Sequence, residues 1–164
     1  MAVHWCGTGL SAIPGLKKLI LDGNNVVVWN RTVSKAKKAL EGVQVTIYEF
    51  DIKSLEEKLA PTDIIVSMLP GDWHVLLAKL AISKKAHFVS SSYISPEMKN
   101  LHNAALKAGV SLVNEIGLDP GIDHLMAHKL VNELKKSELM NAETEISFLS
   151  YCCLLYTSPS PRDL

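Results

Sequence analysis

Val3-His4-Trp5-Cys6-Gly7-Thr8-Gly9-Leu10-Ser11-Ala12 begins as a short apolar run and passes at once into a glycine-rich turn. Behind it Leu16, Leu19 and Ile20 recur at helical spacing, and Gly23-Asn24 supplies residues that tolerate positive φ where a helix must stop. Strand, G-x-G-x-x-A turn and helix in that order are the context a dinucleotide-binding fingerprint requires. Gly7 permits the tight turn, Gly9 lets the backbone approach a pyrophosphate, and Ala12 is small enough for the helix to pack on the sheet. The first N–H groups of the helix then face the phosphates unpaired, with partial positive charge. Pro14 falls in the first turn, where no intrahelical donor is lost.

Working outward, short apolar runs alternate with longer segments of helical period, the pattern of repeated βα units on a parallel sheet. The runs predict strands at Ala2 to Cys6, Asn25 to Trp29, Gln44 to Ile47, Asp63 to Met68, His87 to Ser90 and Ser111 to Asn114. Six strands fit a doubly wound α/β fold. Ser54 with Glu57 spells a capping box at the head of a short helix. Ser95-Pro96 reads as an N-cap and first helical position, opening a helix that runs to about Ala108 before Gly109 ends it. A last helix from Ile122 to Lys136 places Leu125, Met126, Leu130 and Leu134 on a side expected to be buried. Ile146, Phe148 and Tyr151 alternate within a further strand, Glu143 to Tyr151, and a Ser/Pro-rich tail without period follows.

The end of the second strand selects the cofactor. An NAD site places an acidic side chain there for the ribose 2′-OH, whereas a 2′-phosphate calls for a cation and no carboxylate. This chain has Asn30-Arg31-Thr32: Arg31 can pair with the phosphate bidentately, and Asn30 and Thr32 can donate hydrogen bonds. Arg31 is one of only two arginines among seventeen basic residues, which makes its place there less accidental than another lysine's. NADP is therefore expected over NAD. Ligands of such sheets lie beyond the strand carboxyl ends, so Asp51 and Ile52 are expected to flank the adenine and Leu69, Pro70 and Gly71 the nicotinamide ribose.

Composition narrows the classes. With 48% hydrophobic and 21% charged residues, the 164-residue chain has the material of one ordinary globular core. Seventeen basic and seventeen acidic residues cancel, which argues against nucleic acid and membrane surfaces as partners. No apolar run approaches the roughly 20 residues of a membrane span, and Met1 to Trp5 lacks a basic-then-apolar leader, so a cytoplasmic location is expected. Three cysteines, two of them adjacent at Cys152 and Cys153, make neither a disulfide framework nor a metal-ligand spacing. His124 and His128 stand four apart, but Leu125 replaces the glutamate of a zinc H-E-x-x-H helix, and no metal is expected.

Two further segments are more specific than the fold. Ser92-Tyr93-Ile94-Ser95-Pro96, and the eleven residues Asn114-Glu115-Ile116-Gly117-Leu118-Asp119-Pro120-Gly121-Ile122-Asp123-His124, resemble the saccharopine dehydrogenase family closely. With the glycine turn and Asn30-Arg31-Thr32, the likeness runs from about Val3 to Cys152. It implies a Rossmann-type domain into which an α+β substrate and dimerisation domain is inserted after the strand holding Ser147 to Tyr151, the chain later returning to the first domain. Residues 1–140 are thus expected to be the NADP-binding domain, 141–152 the first strand of a truncated second domain, and 153–164 a tail that does not look native. Relatives of this type continue past Tyr151-Cys152 with two glycines and a proline-containing loop, which this sequence lacks.

Carried over by the resemblance, Thr8, Gly9, Leu10 and Ser11 wrap the pyrophosphate and Asn30, Arg31 and Thr32 hold the adenosine phosphate. Asp51, Ile52, Leu69, Pro70 and Gly71 touch cofactor as well. Ser92 and Tyr93 contact saccharopine, while Leu118, Asp119 and Pro120 lie between cofactor and substrate. The implied activity is NADP-dependent oxidation of the CH–NH bond of saccharopine to 2-aminoadipate 6-semialdehyde and glutamate, or the reverse, in a homodimeric enzyme of lysine metabolism. Asp119 is the first candidate for contacting the amine and Tyr93 the second. Glu115 reads equally as a proton acceptor or a structural hydrogen-bond partner, His124 as a support of the Asp119 loop, and His74 beside Trp73 equally as packing or chemistry. Saccharopine carries three carboxylates, yet apart from Arg31 the only arginine is Arg162 in the tail. The expectation is an inactive fragment of the parent enzyme that binds NADP weakly. A non-catalytic NADP-binding or redox-sensing protein is an alternative, as is a carboxynorspermidine dehydrogenase.

Overall fold

The structure is a computed structural model that describes residues 1–137 and 145–147. Among the described residues six parallel strands form a single sheet: β1 (Val3–Cys6), β2 (Val26–Asn30), β3 (Thr46–Glu49), β4 (Ile64–Ser67), β5 (His87–Ser90) and β6 (Leu112–Val113). Their spatial order is β3-β2-β1-β4-β5-β6. Helices α1 (Ile13–Leu21), α2 (Val33–Ala39), α3 (Ile52–Lys58), α4 (His74–Lys84), α5 (Pro96–Lys99), α6 (His102–Ala108) and α7 (Ile122–Lys136) fill the connections. This is the doubly wound Rossmann arrangement that the alternating pattern predicts.

Alternation along the strands divides the core between two faces. Val3, Val26 and Val28 bury one face against Leu16 of α1 and Leu40. Ile65, Phe88 and Trp29 bury the other against Leu55 of α3 and Leu77, Ala78 and Ala81 of α4. Each large side chain so removed from water contributes about 1.5–3 kcal/mol. Helix α4 ends at Lys85 in the left-handed region, φ 56°, without the glycine that commonly marks such an end.

Four expectations need correction. Strand β3 lies two residues later than the run Gln44 to Ile47; it is a largely exposed edge strand, so its side chains carry little burial pattern. Helix α3 is capped not by Ser54 but by Asp51, whose carboxylate accepts from the Ser54 N–H at 2.8 Å. The helix expected from Ser95 to Ala108 does have Ser95 as its N-cap, but it breaks at Asn100–Leu101 into α5 and α6. The apolar stripe of α7 is not buried: Leu125, Met126 and Leu130 are 70%, 59% and 54% exposed, and Leu134 is half-buried. Helical period records that a face is apolar, and among the described residues nothing covers this one. The strand expected from Glu143 to Tyr151 lies largely outside the described residues. The 140/141 boundary, Cys152, Cys153 and the tail lie outside them altogether.

Among the central strands, a buried polar group ties β1, β2 and the start of β4. The Nδ1 of His4 accepts from the Trp29 indole N–H at 3.1 Å, so its proton sits on Nε2, 3.4 Å from Asp63 Oδ2. Asp63 also accepts from the backbone N–H groups of Ala2 and Ala60. Burial holds the His4 pKa below its usual 6.5, although the Asp63 hydrogen bond and charge act the other way, and burial lowers the pKa of His74 likewise. The unfolded chain therefore binds more protons on these groups than the folded one. Stability is full above about pH 6.5 and falls as the pH drops from there through the folded values, by at most about 1.4 kcal/mol per pH unit for each histidine. Denaturant titrations at about pH 7.5 and about pH 5.5 check this; equal midpoints at both would contradict it.

Candidate functional site: a dinucleotide crevice and its substrate-side loops

Where the strand order reverses between β1 and β4, the carboxyl ends of neighbouring strands diverge and leave a crevice. Hydrogen bonding holds β1 to both neighbours up to that point: Gly7 N–H donates to Trp29 O and Met68 N–H to Cys6 O, each at 2.8 Å. Gly7 then turns the chain with φ +101°, and a β-carbon there would meet the Met68 carbonyl oxygen at 2.9 Å. Gly9 differs, since a β-carbon on it would point into unfilled space. Ala12 is 3% exposed, which fits its role of letting α1 approach the sheet, while Leu10 and Ser11 stand exposed on the turn.

A cavity of about 480 Å³ lies over this turn, lined by Gly7, Thr8, Gly9, Asn30, Arg31, Thr32, Lys35, Phe50, Met68, Leu69, Pro70 and Trp73. Its lining holds two cations, Arg31 and Lys35, and no carboxylate, as a ribose 2′-phosphate requires. The glycine cradle and this donor set fit NADP. Asn30 is less free than expected: its Oδ1 accepts from Thr8 N–H at 3.3 Å and its Nδ2 donates to Thr32 O at 2.9 Å. The amide braces the glycine turn against the Arg31 loop. The Asp51 carboxylate caps α3, and Gly71 opens the 3-10 turn Gly71–Trp73 just before α4. Lys35, Phe50 and Trp73 were not anticipated. Lys35 stands three residues past Thr32 in the first turn of α2, and the Phe50 and Trp73 rings meet edge to face, centroids 5.2 Å apart, on the wall of the cavity.

A second, more apolar cavity of about 840 Å³ brings Ser11 and Ala12 of the turn to Met68, Ser91, Leu118 and Asp119, and its floor is the sheet face of Trp5, Val66 and Val89. Met68 borders both cavities. The substrate-side residues meet at the rim: the Tyr93 hydroxyl donates to Asp119 Oδ1 at 2.6 Å. That bond, and the negative charge of Asp119 with Asp123 and Glu115, push the Tyr93 pKa up to about 12. The loop holding Asp119 is closed by its own backbone, with Gly117 N–H donating to Pro120 O, Ile122 N–H to Gly117 O and Asp123 N–H to Leu118 O. Asp119-Pro120 is a cis peptide and Pro120 is buried. The Glu115 carboxylate accepts from Ile94 N–H at 3.0 Å, a bond that joins the loop after β5 to the loop after β6. His124 reaches Asp123, which accepts from Gly121 N–H at 2.7 Å; its support of the Asp119 loop is indirect.

A family profile described as saccharopine dehydrogenase NADP binding domain matches residues 4–113. The chain belongs to this family. NADP is accordingly the cofactor of this domain. The chain is 40% identical over 156 residues to the saccharopine dehydrogenase [NADP(+), L-glutamate-forming] of Pyricularia oryzae, covering 92% of this chain and 34% of that protein. It is 38% identical over 161 residues to the enzyme of the same name from Saccharomyces cerevisiae, covering 96% and 34%. The structure of the apo, histidine-tagged yeast saccharopine dehydrogenase (L-Glu forming) superposes with a TM-score of 0.74 at 37% identity, over 82% of this chain and 31% of that one. This chain thus spans about a third of the length of these relatives.

The two glycines of the turn are expected to respond differently. Gly7→Ala strains a positive φ and presses on the Met68 carbonyl, and should cost about 1–3 kcal/mol of stability. Gly9→Val enters unfilled space, so stability should change by less than about 1 kcal/mol, while NADP affinity falls at least roughly tenfold. Thermal melts and cofactor titration of both variants distinguish these outcomes. Equal NADP affinity in Gly9→Val and the unsubstituted protein would remove the pyrophosphate from this turn.

Proposed function

We propose that the full-length protein is an NADP-dependent oxidoreductase acting on the CH–NH bond of saccharopine, which with oxidised NADP and water gives 2-aminoadipate 6-semialdehyde, glutamate, NADPH and a proton, or the reverse. The Tyr93–Asp119 hydrogen bond carries this reading at the site, because it draws together two loops at the rim of a crevice built for NADP. The identity to saccharopine dehydrogenases supports it over most of this chain.

In this reading Thr8, Gly9, Leu10 and Ser11 receive the pyrophosphate, Arg31 and Thr32 the 2′-phosphate with Lys35 beside them, and Asp51, Ile52, Leu69, Pro70 and Gly71 the remaining cofactor surface. Bound there, oxidised NADP would supply the hydride acceptor for the carbon beside the secondary amine. Leu118 and Pro120 hold the Asp119 carboxylate between cofactor and substrate, where it accepts a hydrogen bond from the amine and orients it. Tyr93 keeps its proton throughout the neutral range and positions Asp119 rather than exchanging protons itself. Ser92 donates to a substrate carboxylate. Further cations for the three carboxylates come from the part of the relatives' length that this chain does not span. The face of Trp5, Val66 and Val89, which among the described residues opens onto the larger cavity, is where the chain's implied return would pack. A homodimer in the cytoplasm completes the proposal; the one thiol among the described residues, Cys6, is buried and unbridged.

Steady-state assay of the full-length protein tests the reading: saccharopine-dependent reduction of NADP is expected, and NADP binding without turnover would instead support a sensor. Arg31→Asp should weaken NADP roughly 10- to 100-fold, with NAD affected far less. Unchanged preference for NADP in that variant would remove Arg31 from the phosphate site.

A further inference from the structure

His74 lies between two hydroxyls. Its Nδ1 is 3.0 Å from Ser67 Oγ and its Nε2 is 2.8 Å from Ser92 Oγ. Ser67, at the end of β4, is fully buried, His74 is 5% exposed at the start of α4, and Ser92 is half-buried beyond β5. The three groups form a line from the core to the rim of the site. The Phe88 ring packs edge to face with the imidazole, centroids 6.2 Å apart, and helps to hold it in place.

Anchoring of the Ser92 backbone is supplied elsewhere. Its N–H donates to Ser90 Oγ at 3.4 Å, and its carbonyl accepts from Glu115 N–H at 3.1 Å. What the imidazole sets is the direction of the Ser92 hydroxyl proton. A neutral imidazole has one N–H and one lone pair, so the line has two settings. If Nδ1 carries the proton, Ser92 donates inward to Nε2 and presents only lone pairs to the site. If Nε2 carries it, Ser67 O–H donates to Nδ1, Nε2–H donates to Ser92, and Ser92 O–H is released outward. An anionic ligand accepts only the second setting, in which the three bonds point the same way and polarise one another.

We propose that His74 is a positioning residue which, as its Nε2–H tautomer, aims the Ser92 hydroxyl outward as a donor to a carboxylate of the substrate. This rests on the reading that Ser92 contacts saccharopine. Burial keeps the imidazole neutral, as a relay with one donor and one acceptor requires.

Two substitutions separate the ends of the line. In His74→Asn the amide stands near the Nδ1 position and can still meet Ser67, but it does not reach Ser92. In His74→Gln the amide nitrogen reaches the Nε2 position and can donate to Ser92. In the full-length protein His74→Asn should raise KM for saccharopine roughly fivefold to tenfold, with kcat and KM for NADP within about twofold. His74→Gln should recover most of the loss, and in a Ser92→Ala background His74→Asn should add nothing. An unchanged KM, or a Gln variant no better than Asn, overturns the proposal. The tautomer gives a readout that needs neither stable variants nor turnover. Nitrogen-15 spectra of labelled His74 should show a protonated Nε2 and a bare Nδ1, and the reverse overturns the proposal. Absence of saccharopine turnover by the unsubstituted protein would count against the proposed function instead, with the tautomer still deciding the arrangement of His74.

Discussion

No β-carbon fits between Gly7 and the carbonyl of Met68, and the crevice is shaped around that close approach. Strand β1 is hydrogen-bonded on both sides until Cys6, so the chain cannot drift away from the sheet gradually; it must leave in one residue. A positive φ at Gly7 accomplishes this and carries α1 to the face opposite α4. The reversal of strand order at β1 and β4 then places the turn, the Arg31 loop and the Leu69-Pro70 segment around one cavity. Cofactor binding here is a consequence of topology first and of side chains second.

Polar side chains tie that geometry together. Asn30 links the glycine turn to the loop after β2, Asp51 caps α3, Asp63 ties His4 to the chain before β4, and Tyr93 fixes Asp119. Each hydrogen bond contributes only about 1 kcal/mol net, but a buried polar group left without a partner costs more than that. Among the described residues no buried side-chain nitrogen or oxygen lacks a partner.

How much of this was legible depended on whether the signal was local. The strand–glycine–helix order at Val3 to Leu21 declares itself, because its chemistry is confined to adjacent residues, and Asn30-Arg31-Thr32 marks the phosphate end for the same reason. Gly9 and Gly7 look alike in sequence and differ in structure, since only a neighbouring strand makes Gly7 crowded. Ser54 and Asp51 are both cap residues by type, and the choice between them turns on where the preceding strand β3 ends, which an exposed edge strand does not advertise. The stripe on α7 predicts a buried face without naming what buries it. His74, Lys35, Phe50 and Trp73 acquire their meaning only from partners across the fold. For His74 these are Ser67 and Ser92, 7 and 18 residues away, and no spacing rule joins them.

The central claim, that the switch point between β1 and β4 receives NADP, is tested most directly by amide hydrogen exchange with and without NADPH. Slowed exchange is expected in the turn from Thr8 to Ala12 and in Asn30 to Thr32, with the amides of β6 and α6 unchanged. Unaltered exchange in both segments at saturating NADPH, or slowing confined to the β6 edge, would contradict it.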